Sequence, residues 1–152
     1  MTADEAFQDR YPDDVAHCYG CGRLNSEGLR VRSFWNGEQT IARLTPDRKY
    51  TAIPGYVYGG LIASFIDCHG TGTGAAVLAR RDGTDELPRC VTASLHVDYR
   101  KPTPMGVELL AHGTVVEVTD RKVVTDITVK ADDVTVATGQ VVAVRMPENL
   151  VR

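Results

Sequence analysis

The long apolar run from Gly59 to Ala79 contains one charged side chain, Asp67, and it constrains the fold more than any other stretch of the chain. The run opens on the pair Gly59-Gly60 and is long enough for an extended helix. Burying a carboxylate costs free energy unless a partner or a reaction uses it, because desolvation opposes the ionised form. Asp67 is therefore the first candidate for chemistry.

The size and charge of the chain limit its class. Its 152 residues fit one domain, and a hydrophobic content of 43% with 24% charged residues is typical of a globular protein. The net charge of -3 provides no broad basic field of the kind that nucleic-acid binding needs. We therefore expect no nucleic-acid partner.

The apolar run is about as long as a membrane span, but Asp67, His69 and Gly70 interrupt it and strand-like segments surround it. We expect a buried helix and no membrane insertion. The acidic start, Met1 to Glu5, lacks the basic and apolar regions of a secretory signal, which favours a cytoplasmic location. Reduced thiols are the default there, so we expect no disulfide among the four cysteines.

Composition divides the chain into three segments. Polar, turn-rich residues predict a lead-in segment over 1–28, followed by a single domain over 29–147 and a C-terminal tail over 148–152. Within the domain, the apolar run predicts a helix from Gly59 to about Arg81, where basic residues favour the helix C-terminus and a following Asp-Gly pair supplies the stop.

The remaining segments have the β-branched composition and the alternation of strands. Asn36-Gly37 is a strong two-residue hairpin signal between the first two. The strict alternation of Val91–Tyr99 predicts one buried face. The predicted strands are Leu29–Trp35, Glu38–Leu44, Val91–Tyr99, Val107–Val118, Lys122–Ala131 and Val134–Met146. The predicted fold class is α+β, with a long central helix wrapped by an antiparallel sheet of about six strands.

The predicted helix has two unlike sides. One side is bulky and apolar and carries Leu61, Ile62, Phe65, Ile66 and Val77. The other is a stripe of small residues at helical spacing that includes Asp67; its members are Gly60, Ser64, Asp67, Thr71 and Gly74. We expect the bulky side to pack against the sheet and the small stripe to admit a close approach.

Three stretches carry a resemblance to a known family. They are the glycine pair with an acid seven residues after Gly60, the strand Val91–Tyr99 with the Arg-Lys-Pro that follows it, and the segment Cys18-Tyr19-Gly20-Cys21-Gly22. Together they resemble the hotdog-fold acyl-CoA thioesterases of the phenylacetate-pathway and carboxy-terminal-modulator types, over nearly the whole chain. The resemblance implies a hotdog fold and hydrolysis of acyl-CoA to free acid and coenzyme A in fatty acid metabolism. It also implies no metal or redox cofactor, and a homodimer, with tetramers frequent among relatives.

Thioester hydrolysis needs a group that polarises the carbonyl and an acid that activates water or attacks directly. The N–H groups of Gly59, Gly60 and Leu61 lack intrahelical partners and lie at the positive end of the helix dipole, and we select Gly60 as the oxyanion donor. Asp67 is the base or nucleophile. Because seven residues rise about 10 Å along a helix, one helix offers half a site. An obligate homodimer brings Asp67 of one subunit opposite Gly60 of the other.

Several further residues are expected at the site. Alignment with the family places the hydroxyl partner of the acid at Thr92, with Thr71, one turn beyond Asp67, as the rival. Tyr58 stands where the family usually has histidine, and it either donates its phenol hydrogen bond or lines the acyl pocket. The expected substrate-binding residues, the basic ones for the phosphates of coenzyme A, are Gly59, Leu61, Ser64, Thr71, Arg89, Arg100 and Lys101.

Other interpretations accompany this one. Tyr58 in place of histidine motivates a non-catalytic acyl-CoA-binding or regulatory protein of the same fold. His17 with Cys18-x-x-Cys21 suggests a metal site, but a structural zinc site normally has four ligands and no second pair is visible, so we favour a metal-free turn near the active site. His69 points away from Asp67 and is expected to be a satisfied polar residue or an interface contact.

Overall fold

A computed structural model of the protein describes residues 4–150 and contains one long helix and six strands. The helix, α1, spans Gly59–Asp82. The strands are β1 Ser33–Asn36, β2 Gln39–Leu44, β3 Cys90–Tyr99, β4 Leu109–Val118, β5 Lys122–Ala131 and β6 Val134–Arg145. The prediction of one helix against a six-stranded sheet is confirmed. Residues 1–3 of the predicted lead-in and 151–152 of the predicted tail lie outside the described residues.

The six strands form one antiparallel sheet in the order β1-β2-β4-β5-β6-β3. The helix packs against the sheet, with β6, β5 and β3 as its main neighbours. The core between them consists of fully buried aliphatic and aromatic side chains, among them Leu61, Ile62, Phe65, Ile66, Leu109, Ile127, Val129 and Val141. Full burial of each side chain of this kind is worth roughly 1.5–3 kcal/mol.

Two glycines let the helix approach β6 closely. A Cβ added at Gly70 would lie 2.4 Å from the Cβ of Val141, and one added at Gly74 would lie 2.7 Å from the Cβ of Ala143. Gly74 therefore packs against the chain's own sheet, which corrects its assignment to an open stripe of small residues. The predicted stop is confirmed, because Gly83 caps the helix in the left-handed conformation at φ 68°.

The first hairpin differs from its prediction. β1 begins at Ser33 rather than at Leu29, because the preceding backbone bonds to the lead-in segment: the Val31 N–H donates to the Gly20 carbonyl at 2.9 Å. Arg30 also has a left-handed φ of 55°, which interrupts an extended strand. The limits of the other strands agree with the prediction within two residues.

The hairpin turn is shifted by one residue. Asn36 pairs with Gln39, so the two-residue loop is Gly37-Glu38 rather than Asn36-Gly37. Gly37 has a φ of 66° at the first loop position, where a type II′ turn requires positive φ and favours glycine.

The prediction that Val91–Tyr99 buries one face is wrong for the single chain. β3 is an edge strand, and Leu95 and Tyr99 are 40% and 53% exposed. The pairing register with β6 also shifts between Thr92 and Ser94, so a β-bulge breaks the alternation. The outer edge of this ten-residue strand has no partner among the described residues.

The lead-in segment is packed onto the domain. Its two short 3-10 helices span Phe7–Arg10 and Asp13–Val15. Phe7 is fully buried, and its ring lies edge-on to Trp35 with a centroid separation of 5.4 Å. Of the helices in residues 4–150, none has the length and hydropathy to cross a bilayer.

Candidate active site

The carboxylate of Asp67 is hydrogen-bonded to Thr92. The Thr92 hydroxyl donates to Asp67 Oδ1 at 2.5 Å, joining α1 to β3 at the β-bulge. Bulges re-aim side chains, which explains how an edge-strand residue reaches the helix. The rival hydroxyl of Thr71 donates instead to the main-chain carbonyls of Asp67 and Cys68, at 3.0 and 3.3 Å. Of the two predicted partners, Thr92 therefore makes the carboxylate contact.

The environment of Asp67 favours its protonated form. Burial is the largest cause and raises the pKa of the carboxyl above its ordinary value. The hydrogen bond from Thr92 opposes this shift, the negative charge at Cys18 adds to it, and the guanidinium of Arg89 opposes it. A half-buried carboxyl with a raised pKa is typical of functional sites.

The start of α1 places free backbone donors beside the Tyr58 phenol. In the part of the chain that the structure describes, the N–H groups of Gly59 and Gly60 have no acceptor. The Leu61 N–H, which the sequence predicts to be free, donates to the Tyr58 carbonyl at 3.1 Å, because a 3-10-type bond tightens the first turn. A Cβ at Gly60 would lie 2.2 Å from the Tyr58 hydroxyl oxygen, so the phenol occupies the space that a side chain at position 60 would need.

Two further hydroxyls fix the carbonyls of the first turn. Tyr99 donates to the Gly59 carbonyl at 2.6 Å, and Ser64 donates to the Gly60 carbonyl at 2.9 Å. Desolvation raises the pKa of Tyr99, with a further contribution from Tyr58, so the phenol stays a neutral donor. Sequence reasoning missed the role of Tyr99, although this residue ends the strand that carries the family resemblance.

The predicted basic residues lie at separate places. The Arg89 guanidinium is half-buried and stacks over the ring of Tyr11 at 4.7 Å from its centroid. Arg100 donates through Nε to the Thr138 hydroxyl at 3.2 Å, and Lys101 is exposed. Arg89 is thus the one of the three that lies near the Asp67 carboxylate.

A cavity of about 260 Å³ flanks the first turn of the helix. Its lining combines apolar residues such as Leu29, Leu44 and Leu61 with charged ones such as Glu27 and Lys49. The predicted site residue Leu61 is only 2% exposed, so its side chain belongs to the core that supports this cavity.

Three cysteines converge beside the acid, a feature that sequence spacing did not reveal. Cys18, Cys21 and Cys68 bring their sulfur atoms within 4.8 Å of one another. Cys68 follows Asp67 on α1, whereas the other two belong to the lead-in segment. Their meeting depends on how that segment packs on the helix, which no local motif encodes.

His69 forms a buried polar network on the sheet side of the helix. Its Nδ1 lies 2.9 Å from the Ser33 hydroxyl and its Nε2 lies 3.2 Å from the Thr40 hydroxyl. Thr40 in turn bonds Thr73 at 2.7 Å, and Gln8 bonds Ser33 at 3.2 Å. Sequence analysis offered two roles for His69, a hydrogen-bonded polar residue or an interface contact. Within the single chain His69 has the first role.

The two halves of the candidate site are far apart within one chain. Gly60 and Asp67 lie on the same helix, and a rise of about 1.5 Å per residue separates them by roughly 10 Å along its axis. A thioester carbonyl bound at one of them therefore lies out of reach of the other.

Comparisons with known proteins agree with this architecture. Residues 54–138 match the family model described as thioesterase superfamily. A crystal structure of a thioesterase superfamily protein from Shewanella loihica is 50% identical, with a TM-score of 0.69, and the match covers 86% of this chain and 95% of that one. A structure from Streptococcus mutans bound to acetyl-CoA is 19% identical, with a TM-score of 0.61 over 74% of this chain and 84% of that one, and supports the fold alone.

A curated relative matches a shorter stretch. The acyl-coenzyme A thioesterase THEM4 of Xenopus laevis is 35% identical over 80 residues, which make up 53% of this chain and 32% of the relative. This chain thus spans about a third of the length of that relative.

Proposed function

The chain belongs to the thioesterase superfamily, a class of thioester hydrolases, and from that premise we propose that it hydrolyses acyl-CoA thioesters to free acid and coenzyme A. The observation that carries the proposal is the half-buried Asp67 carboxylate, which receives the Thr92 hydroxyl and has a raised pKa. A carboxylate so placed serves as a general base toward water or as a nucleophile.

Thr92 positions the reacting acid in this proposal. Its hydroxyl donates a hydrogen bond to one oxygen of the Asp67 carboxylate, and the other oxygen stays free to face water or the thioester carbon. By stabilising the ionised carboxylate, the same bond keeps Asp67 competent as a base in spite of its burial.

The first turn of α1 supplies the oxyanion site in this proposal. The free N–H groups of Gly59 and Gly60 stabilise the negative charge that develops on the thioester oxygen, and the helix dipole adds to the effect. Tyr58 contributes its phenol at the position where relatives have histidine, because its hydroxyl lies against Gly60. Tyr99 holds the turn through the Gly59 carbonyl.

The reaction requires two chains, since Asp67 and Gly60 of one helix are roughly 10 Å apart. We therefore include an obligate homodimer in the proposal, with each site built from Asp67 of one protomer and Gly60 of its partner. The long unpaired edge of β3 supports this, because exposed edge strands with apolar residues such as Leu95 favour pairing with another chain. A tetramer built from two such dimers is compatible with the same sites.

The substrate is an acyl-CoA in this proposal. The cavity beside Leu61 and Tyr50 has a mixed lining, with charged residues such as Glu27 and Lys49 next to the apolar ones, and a volume of about 260 Å³. We propose that it receives the amide-rich pantetheine segment of the substrate. Arg89, Arg100 and Lys101 are the proposed contacts for the coenzyme A phosphates. No metal or redox cofactor is assigned to the hydrolysis, and a cytoplasmic location completes the proposal.

A panel of short, medium, long and aromatic acyl-CoAs tests this function, with release of free thiol as the readout. We expect turnover of at least one member by the parent chain and loss of that turnover, with binding retained, in Asp67→Asn. Binding without turnover in the parent would instead favour the non-catalytic acyl-CoA-binding protein that Tyr58 suggests. If the parent chain neither binds nor hydrolyses any member of the panel, both functions are refuted.

A further inference from the structure

The three sulfur atoms beside the helix form a compact thiol cluster. Cys18, Cys21 and Cys68 lie within 4.8 Å of one another, and the first two flank a tight turn in which the Gly22 N–H donates to the Cys18 carbonyl at 2.7 Å. Around a tetrahedral zinc ion with Zn–S bonds of about 2.3 Å, sulfur atoms stand roughly 3.8 Å apart. The sulfur atoms are therefore within about 1 Å of the spacing that such an ion requires.

The lead-in turn is shaped around the third sulfur. A Cβ added at Gly20 would lie 2.2 Å from Cys68 Sγ, so an alanine in this turn would displace the sulfur from the cluster. Gly22 is equally constrained, because its Cβ would lie 2.5 Å from the Cys18 nitrogen. The glycines on either side of Cys21 thus let the turn close over Cys68.

We propose that Cys18, Cys21 and Cys68 bind one zinc ion, which ties the lead-in segment to the helix. In residues 4–150 these three cysteines are the only group of at least three side chains placed to bind a metal ion. A water molecule therefore completes the tetrahedron on the half-exposed side of Cys18. Three thiolates with Zn²⁺ carry a net charge of about -1, and the Arg89 guanidinium beside Cys21 offsets it. This site departs from the metal-free turn expected from the Cys18-x-x-Cys21 motif alone.

Metal binding to the parent chain of 152 residues tests the proposal. After incubation with ZnSO₄ and gel filtration, we expect about one zinc per chain by mass spectrometry. Replacement by Co²⁺ is expected to give intense thiolate-to-cobalt absorption in the near ultraviolet and the visible bands of tetrahedral cobalt. The parent protein alone answers this part, so it does not depend on the folding of any variant.

Three variants localise the site. Loss of a residue that only hydrogen-bonds to a metal ligand weakens metal binding by about 10–100-fold. Cys68→Ser removes a ligand itself, so we expect a larger loss of zinc affinity. Gly20→Ala keeps all three thiols but displaces Cys68, so it should weaken binding as well. Cys90→Ser is the matched control, because Cys90 is also buried but lies outside the cluster, and it should bind zinc as the parent does.

Stability provides an independent readout. Because zinc bound to the folded state adds to the free energy of unfolding, a chelator should lower the Tm of the zinc-loaded parent and of Cys90→Ser but not that of Cys68→Ser. The proposal would be overturned if the parent retained no zinc and gave no thiolate-to-cobalt absorption. Equal loss of zinc in Cys90→Ser, or a disulfide within the cluster in freshly purified metal-free protein, would overturn it too.

Discussion

Asp67 and His69 are two residues apart on the same helix, but their titratable side chains differ in burial and in hydrogen bonding. His69 is fully buried, and both of its ring nitrogens lie within hydrogen-bond distance of hydroxyls. Asp67 is half-buried and has one hydroxyl partner, Thr92. Their side chains point to opposite sides of the helix, His69 toward the β1-β2 hairpin and Asp67 toward the edge strand β3.

The pKa directions express the same contrast. Desolvation, supported by repulsion from His112, lowers the pKa of His69 to about 4, so the imidazole is neutral and its network is satisfied. Desolvation also raises the pKa of Asp67, whose carboxylate receives one side-chain hydrogen bond, from the Thr92 hydroxyl. A satisfied buried group belongs to the fold, whereas a half-buried carboxyl with a raised pKa is available for chemistry.

The largest expected effect is on turnover in Asp67→Asn. We expect kcat/KM for the best acyl-CoA to fall by about 10²–10⁴-fold, the usual contribution of a general base. The Tm should not fall, because a carboxyl whose folded-state pKa is raised loses its stabilising contribution as the pH rises above its unfolded pKa. Asp126→Asn, which alters an exposed carboxylate bonded to Gln140, is the control and should keep parental turnover. Parental turnover in Asp67→Asn would contradict the assignment.

His69→Ala should show the reverse pattern. Removing the imidazole leaves the Ser33 and Thr40 hydroxyls without this partner in the core, so we expect the free energy of unfolding to drop by about 2–4 kcal/mol. The value of kcat should stay near that of the parent where the variant is folded. Urea denaturation measures the change, with the exposed-residue variant His96→Ala as the control within about 0.5 kcal/mol of the parent. A stable but inactive His69→Ala would place His69 in the reaction instead.

The pH dependence of stability separates the two groups further. Because the pKa of His69 is about 4 in the folded state, against an ordinary value of 6.5, its neutral form stabilises the fold fully above pH 6.5. That contribution is lost as the pH falls from 6.5 through 4 and amounts to about 3 kcal/mol. The stability difference between the parent and His69→Ala should therefore shrink over this window. A difference that stays constant with pH would show that His69 does not titrate as described.

A smaller effect is expected from Thr92→Val. Loss of one hydrogen bond to a charged group should lower kcat/KM by roughly 10–100-fold. The bond lowers the pKa of Asp67, so its removal should move the acid limb of the pH–rate profile to higher pH. Thr71→Val is the matched control, because the Thr71 hydroxyl bonds only to backbone carbonyls of its own helix. If Thr71→Val moved the acid limb and Thr92→Val did not, Thr71 would be the partner of the acid.

Much of this contrast was predictable from sequence, and the reasons are physical. The single charge in the apolar run indicated Asp67, and helical spacing separated His69 from it. Local periodicity also predicted the helix and five of the six strands closely. These features depend on neighbours in sequence, where pattern reasoning is strong.

The features that sequence reasoning missed depend on long-range packing. The β1 start moved because the lead-in segment takes the backbone bonds around Val31, and the β3 bulge at Thr92 breaks a strict alternation. Likewise, Cys68 meets Cys18 and Cys21 only after the lead-in segment has packed on the helix. No spacing in the chain encodes such a meeting.

In the proposed dimer, Asp67 and Gly60 act on one thioester from different protomers. Co-expression of Asp67→Asn and Gly60→Val chains under two affinity tags gives a purified heterodimer in which one of the two sites contains both intact residues. We expect inactive homodimers of each variant and a heterodimer with about half of the parental turnover per dimer. A folded heterodimer without turnover, or a fully active monomer of the parent chain, would contradict it.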